Sequence, residues 1–338
     1  MSKPRTVGVA IAVLFLACAL GPLARAGTLS TDVIGMFPQN AGEFAYADLR
    51  QARALSWFPQ LQSQMLPARF KEFEKFLSSA GVDPNVQVEE VAWALVPGGL
   101  PDGPAASNST AVPTSEEVVG VALGSFQPDS TEAIFQAKKL PVVKVRDFSL
   151  YGFGGGSGAS DLFFVFIDAN TAVFGQRSLV ERLINIRYGD EQGLYANGEL
   201  SALVAQANGS GVVWSVMSAA YTRLAMQQLT PELSQFPQAT QLTANVQALT
   251  ISITASSGVE AHFQAVLDTP DDANTFAALL QAGLLYRRYQ VANTNPDLAN
   301  MLDAIRVAPS GDDLDIRLSL TDDQVAALIR RNTFAIGL

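Results

Sequence analysis

Cysteine and histidine are almost absent from this sequence. Its 338 residues hold one cysteine, Cys18, and one histidine, His262. Zinc sites draw mainly on Cys and His ligands, so a zinc centre here would have to be built from carboxylates, an uncommon arrangement. A Ser–His–acid triad could be centred only on His262, and no G-x-S-x-G turn occurs. Basic residues are also few: 22 Lys and Arg stand against 32 Asp and Glu, a net charge of −10. A surface this acidic repels nucleic acid and anionic membranes. Arg287-Arg288 and Arg330-Arg331 fall near predicted helix C-termini, where cations complement the helix dipole. The apolar run Val7–Leu20 has 14 residues, short of the roughly 20 that a spanning helix needs.

That run follows Lys3 and Arg5 and is broken by Gly21-Pro22. Ala24-Arg25-Ala26 then supplies the small residues of an A-x-A cleavage site. Together these read as an export signal, residues 1–26, removed after Ala26. The residues before Cys18, Phe15-Leu16-Ala17, differ from the usual lipoprotein order, which favours cleavage at Ala26 over lipidation at Cys18. Lys3, Arg5 and Arg25 leave with the signal, so the mature chain has 19 bases against 32 acids and no cysteine. The expectation is a periplasmic or extracellular bacterial protein with no disulfide, whose stability rests on its core, and with no membrane span after processing.

The most legible stretch of the mature chain is Asp161–Arg187. Leu162–Ile167 and Thr171–Gly175 predict two strands joined by a turn at Asp168-Ala169-Asn170, the first apolar on both faces and so covered twice. A helix follows, with Leu179, Val180, Leu183, Ile184 and Ile186 on a wide apolar face. Ser178 and Glu181 have capping-box spacing.

Either side of this unit the same order recurs. Glu43–Leu49 alternates as a strand. Pro67–Ala80 carries Phe70, Phe73, Phe76 and Leu77 on one helical face and stops at Gly81. Strands Val88–Val96 and Val118–Ser125 flank Pro97–Thr114, a stretch of Pro, Gly, Ser and Ala that reads as a flexible loop. Asp129 and Glu132 are placed to cap a helix through Lys139; Val142–Asp147 and Ser149–Phe153 are short strands. In the second half come a helix at Gly198–Gln206, a strand at Gly211–Ser218 and a helical stretch at Tyr221–Phe236. A hairpin of Gln247–Ala255 and Val259–Asp268 follows, then a helix opened by Thr269 and Pro270. Strands at Arg306–Ala308 and Leu314–Leu320 precede a final helix capped by Thr321 and Gln324. The alternation of Leu249, Ile251 and Ile253 with Thr250, Ser252 and Thr254 predicts a sheet with one wet face there. The fold class is α+β: a duplicated unit with antiparallel sheets and helices mainly on one face. Residues 27–42 form a lead-in, 43–190 a first unit and 191–338 a second.

The hairpin, the "TAVFGQRSLVERLI" helix start and the "N-x-E-L-x-x-L" helix at Asn197, Glu199, Leu200 and Leu203 resemble a family of exported bacterial proteins. That family carries only a domain-of-unknown-function label. The likeness covers roughly Phe44–Leu224 and lies in apolar spacing. It implies a duplicated α+β envelope protein and brings no catalytic residue with it.

Polar candidates are thin. His262 shares the polar side of its strand with Glu260 and Gln264, the position of a surface histidine. Gly152–Gly158 has Ser157 where a dinucleotide fingerprint needs its third glycine, and a strand follows in place of a helix. Asp271-Asp272 and Asp322-Asp323 fall in first helical turns, where acids are stabilising. Asp312, Asp313 and Asp315 lack that explanation and are the one calcium candidate. Asn108-Ser109-Thr110 and Asn208-Gly209-Ser210 match glycosylation sequons but read as loop composition. No catalytic, cofactor-binding or metal residue is assigned, and no cofactor is implied. The sequence favours a non-enzymatic envelope protein that binds or scaffolds another envelope component. The alternative is a carboxylate-dependent hydrolase acting on glycans or cell-wall material, which would need two convergent buried carboxylates about 5–10 Å apart in a cleft. An apolar groove would favour binding.

Overall fold

The computed structural model describes residues 27–65, 68–98, 115–153, 162–223, 243–255 and 258–331. The strand at the centre of the chain's organisation is Glu43–Asp48 (β1), buried along its whole length. Its alternation is put to use on both faces: Phe44 and Tyr46 point one way, Ala45 and Ala47 the other. The remaining strands are β2 (Val88–Gly98), β3 (Ser115–Gly124), β4 (Val142–Val145), β5 (Phe148–Phe153), β6 (Leu162–Phe166), β7 (Thr171–Gln176), β8 (Val213–Ser218), β9 (Val246–Ala255), β10 (Val259–Leu267), β11 (Ile305–Ser310) and β12 (Asp313–Leu320). Among the described residues they make one 12-stranded sheet, ordered β11-β12-β10-β9-β8-β1-β2-β3-β7-β6-β5-β4, and every pairing is antiparallel.

From the β1–β8 junction the order reads alike in both directions: β1-β2-β3-β7 one way, β8-β9-β10-β12 the other. Each side is a strand, a hairpin, and a later strand that returns to pair with the hairpin. The expected two sheets are therefore one, fused edge to edge.

The helices are α1 (Thr31–Gly35), α2 (Leu49–Ala52), α3 (Phe58–Met65), α4 (Ala68–Ser79), α5 (Pro84–Gln87), α6 (Pro128–Ala137), α7 (Arg177–Arg187), α8 (Gly198–Ala207), α9 (Pro270–Val291), α10 (Pro296–Ala304) and α11 (Asp322–Arg330). Most of them cover the Ala45/Ala47 face: α3 and α11 over the centre, α4 and α6 over β3 and β5–β7, α9 over β10 and β12. The Phe44/Tyr46 face is covered by α1, α7, α8 and the 3-10 turn Leu194–Ala196. No residue of β9–β12 joins that core, so the outer strands present the predicted wet face with Thr254, Glu260 and His262 on it. The two halves part at their last helices, since α7 and α11 lie on opposite faces. Residues 27–42 are packed in: Leu29, Val33, Ile34, Met36 and Phe37 are all buried.

Local signals held where a cap or turn was free to form. Gly81 ends α4 with φ +81° and the Val82 N–H donates to the Leu77 carbonyl. Asn197, Thr269 and Thr321 cap their helices, and Thr321 with Gln324 makes both halves of a capping box. β6 is buried on both faces, as its apolar run requires.

Two caps did not form as expected. β7 runs straight into α7, so the N-cap is Gln176 and Ser178 falls at the second helical position, where its hydroxyl no longer faces the free N–H groups. Ser178 Oγ donates instead to Glu117, and Glu181 pairs with Arg177 at 2.6 Å. Likewise Pro128 fixes the start of α6, so Asp129 lies inside the first turn and Glu132 accepts from the Tyr151 hydroxyl. Predicted Pro97–Thr114 loses Pro97 and Gly98 to β2, while 99–114 lies outside the described residues, as do 154–161 and most of Tyr221–Phe236.

Thr321→Ala should cost about 1 kcal/mol in urea titration, and Ser178→Ala only a few tenths, because only the first is a working cap. Equal costs would reverse that reading. Gly98 and Ser115 are register partners, so residues 99–114 leave and rejoin the hairpin at neighbouring points. Replacing them with a two-residue Asn-Gly turn should move the melting temperature by no more than a few degrees; loss of soluble protein would contradict this.

Candidate functional site

A mostly apolar cavity lies under the Ala45/Ala47 face. α4 packs its Phe73 and Leu77 toward β3 and β6, and α3 brings Phe58 beside them. Opposite these large side chains the strands offer small ones, Ala47 on β1 and Ala122 on β3. Helix and sheet therefore do not close fully, and a cavity of about 160 Å³ remains, partly open to the surface. Trp93, Leu95, Val118, Phe164 and Phe174 from the strands and Val82, Pro84 and Val88 also line it. The size is of the same order as the roughly 150 Å³ engineered protein cavity that admits benzene.

Four polar side chains interrupt this lining: Arg53, Gln62, Glu74 and Asn85. Arg53 is engaged, donating from Nη2 to the Pro84 carbonyl at 2.9 Å and the Val88 carbonyl at 2.5 Å; burial holds its pKa below the usual value. Glu74 is half-buried and receives one bond, from Gln62 Nε2 at 3.3 Å. Burial pushes its carboxyl above the ordinary range, and the Gln62 bond only partly offsets that. The Trp93 indole N–H, 4 % exposed, has no hydrogen-bond partner among the described residues.

The sequence candidates sit elsewhere. His262 lies on the predicted polar side of β10, half-buried, with Nε2 2.5 Å from Asp315 on β12. Asp313, two residues earlier on that side, accepts from Gln264 at 3.1 Å. Asp313 and Asp315 are thus cross-strand partners of β10. Among the described residues no group of three or more His, Cys, Asp or Glu could hold a metal ion. Asp271, Asp272, Asp322 and Asp323 do fall in first helical turns, and Asp322 also accepts from the Trp57 indole. Asn208 clamps a backbone: its Oδ1 accepts from Leu29 N and its Nδ2 donates to Leu29 O, both at 2.9 Å. Cys18, Asn108 and residues 154–158 lie outside the described residues.

Two carboxylates do stand side by side. Asp48 and Glu90 are register partners on the Phe44/Tyr46 face. They line neither the apolar cavity nor the more open polar hollow near Thr254 and Thr321, whose one carboxylate is Glu260. Asp48 is also committed as the N-cap of α2, accepting from the Gln51 N–H and side chain. The arrangement of a glycosidase, with two acids facing a cleft, is not met by this pair.

No protein-family model and no curated protein matches the chain, so the family resemblance gains no support from that direction. Solved structures similar to it include crystal form I of TP0453, with 13 % identity and a TM-score of 0.45 over 91 % of this chain and 99 % of that one. Crystal form IV of TP0453 gives the same identity and TM-score over 90 % and 97 %. The identity is too low to carry any residue's role across. No helix among the described residues is long and apolar enough to cross a membrane.

The raised Glu74 pKa gives a pH signature. The folded state holds a proton that the unfolded state has already lost, so this group's contribution falls as pH rises from the ordinary carboxyl value through the raised one. Glu74→Gln should therefore stabilise the protein at pH 7, on the order of 0.5 kcal/mol, with the gain vanishing below about pH 4. Urea titrations of both proteins at the two pH values check it; a gain that persists at low pH contradicts it.

Proposed function

We propose that this is a non-enzymatic exported envelope protein that binds another envelope component by taking an apolar part of it into the cavity under α3 and α4. The observation that carries the proposal is the cavity itself. An unfilled space of this size between otherwise well-packed layers forfeits dispersion contacts and is destabilising, on the order of 24 cal/mol per Å³ in cavity-forming substitutions. A ligand supplying methylene or aromatic groups would recover those contacts. The volume suits a hydrocarbon segment of about six carbons. The unpaired Trp93 N–H favours a ligand with one acceptor, such as an ester or amide carbonyl, near that segment. Export through residues 1–26 and the wide, acidic exterior of the mature chain fit an envelope partner. The like order of strands on each side of the β1–β8 junction supports reading 43–190 and 191–338 as two copies of one unit.

The test uses an apolar naphthyl probe whose fluorescence rises on leaving water, with energy transfer from Trp93. Wild type should bind it at micromolar concentration. Leu77→Trp, which fills the space, should weaken binding at least tenfold without lowering the melting temperature. Trp93→Phe should still bind, with reduced transfer, the remainder coming from Trp57 in the same apolar cluster. Equal binding by Leu77→Trp, or none by wild type, would overturn the proposal.

A further inference from the structure

Residues Gly27–Ser30 are fastened to the sheet's Phe44/Tyr46 face. Leu29 is buried and its backbone is clamped from both sides by the Asn208 amide. Gly209, at φ +86°, brings its backbone beside Thr28, so that a methyl group there would come 3.3 Å from Thr28 Oγ1. Gly27 itself is pressed against β1: a methyl group on it would overlap the Tyr46 hydroxyl and fall 3.0 Å from Asp48 Oδ2. Standard bond lengths then put the Gly27 nitrogen within about 5.5 Å of that oxygen.

The surroundings it meets are anionic and short of a cation. Asp48 is fully buried, Glu90 is its cross-strand neighbour, and the buried Tyr46 hydroxyl lies within reach of the Glu90 carboxyl. Among the described residues the cation paired with these acids is Arg50, which is mostly exposed, stands 3.9 Å from Asp48 and 4.0 Å from Glu90, and is shared with Glu89 at 3.3 Å, while the more distant Arg53 is held by the Pro84 and Val88 carbonyls. Such an exposed, divided charge compensates little. Burial pushes the Glu90 carboxyl up, the Tyr46 hydroxyl partly offsets that, and the Asp48 charge adds to the rise.

We propose that removal of the export signal after Ala26 creates an internal ion pair, in which the new α-ammonium of Gly27 docks onto Asp48 and Glu90 beside the Tyr46 hydroxyl. In the precursor the Gly27 nitrogen is an uncharged amide. Hydrolysis adds water across the Ala26–Gly27 bond: Ala26 departs with a carboxylate, and Gly27 keeps the nitrogen as an ammonium with three donors, protonated at neutral pH. Asp48 keeps its bonds from Gln51, the ammonium donates to the remaining acceptor sites of Asp48 and Glu90, and the mature fold gains a contact that the precursor lacks. Only glycine lets the backbone approach this closely, which gives position 27 a physical requirement. The inference rests on the export reading above but not on the cavity.

The test compares the chain beginning at Gly27, released from a cleavable fusion, with the same chain carrying Ser-Ala before Gly27. The native-start protein should melt 3–6 °C higher, and the gap should shrink to about 1 °C when both carry Glu90→Gln. At pH 7 an amine-selective reagent should label the Gly27 α-amine at least tenfold more slowly in the folded protein than in denaturant. Equal melting temperatures with equal labelling rates would overturn the inference. Mass and N-terminal sequence of the exported protein supply a separate check. A mature chain starting elsewhere than Gly27 would also overturn it, while leaving probe binding in the cavity untouched.

Discussion

The structure depends on the antiparallel contact between β1 and β8. Two strands more than 160 residues apart in sequence meet there over Glu43–Ala47 and Val213–Met217, and through them both halves become one sheet. The seam is dry on both sides. On one face Tyr46 stacks on Trp214 with ring centroids 5.6 Å apart, Phe44 lies against the same indole, and Phe37 meets Phe44 edge-on at 4.8 Å. On the other, Ala45 and Val213 pack beneath α11, and buried Ser215 donates to buried Glu43 at 2.8 Å. Aromatic stacking of this kind adds to the ordinary gain from apolar burial. A polar side chain buried at such a seam constrains register, because a one-residue slip would turn Glu43 onto the aromatic face.

The same strand sets the character of the two sides. Its large side chains feed the core beneath α1, α7 and α8. Its Ala47 leaves room on the other side, and with Ala122 it accounts for the space beneath α3 and α4. Core and cavity thus follow from one alternation, in a strand where every residue is buried but only every second one is bulky. At the strand's end the pattern breaks: Asp48 caps α2 and stands next to Glu90. That is where the chain near Gly27 comes to rest.

Much of the fold was legible because its signals are local. The β6–β7 hairpin, the Phe73/Leu77 face of α4, the Gly81 stop and the Thr269 and Thr321 caps depend on neighbours within a few residues. The failures at Ser178 and Asp129 came where strand or proline geometry shifted the helix start by a residue or two, a shift that spacing alone does not record. The single fused sheet was not legible, since the β1–β8 pairing is a long-range choice. The cavity was hidden for the same reason: Ala47 and Ala122 are unremarkable until the register sets them opposite phenylalanines. One clue was present. Phe70, Phe73, Glu74 and Leu77 follow helical spacing, and Glu74 occupies a slot on an otherwise apolar stripe. The Asp315 partner of His262 needed the β10–β12 register as well.

Native-state hydrogen exchange tests the central claim most directly. If the seam unites the sheet, amides of Glu43–Asp48 and Val213–Ser218 should be among the slowest in the protein. They should exchange only through global unfolding, with the same free energy as paired amides of β2 and β9. Seam amides that exchange at a clearly lower free energy than the strands outside them, with one half still protected while the other opens, would contradict the account.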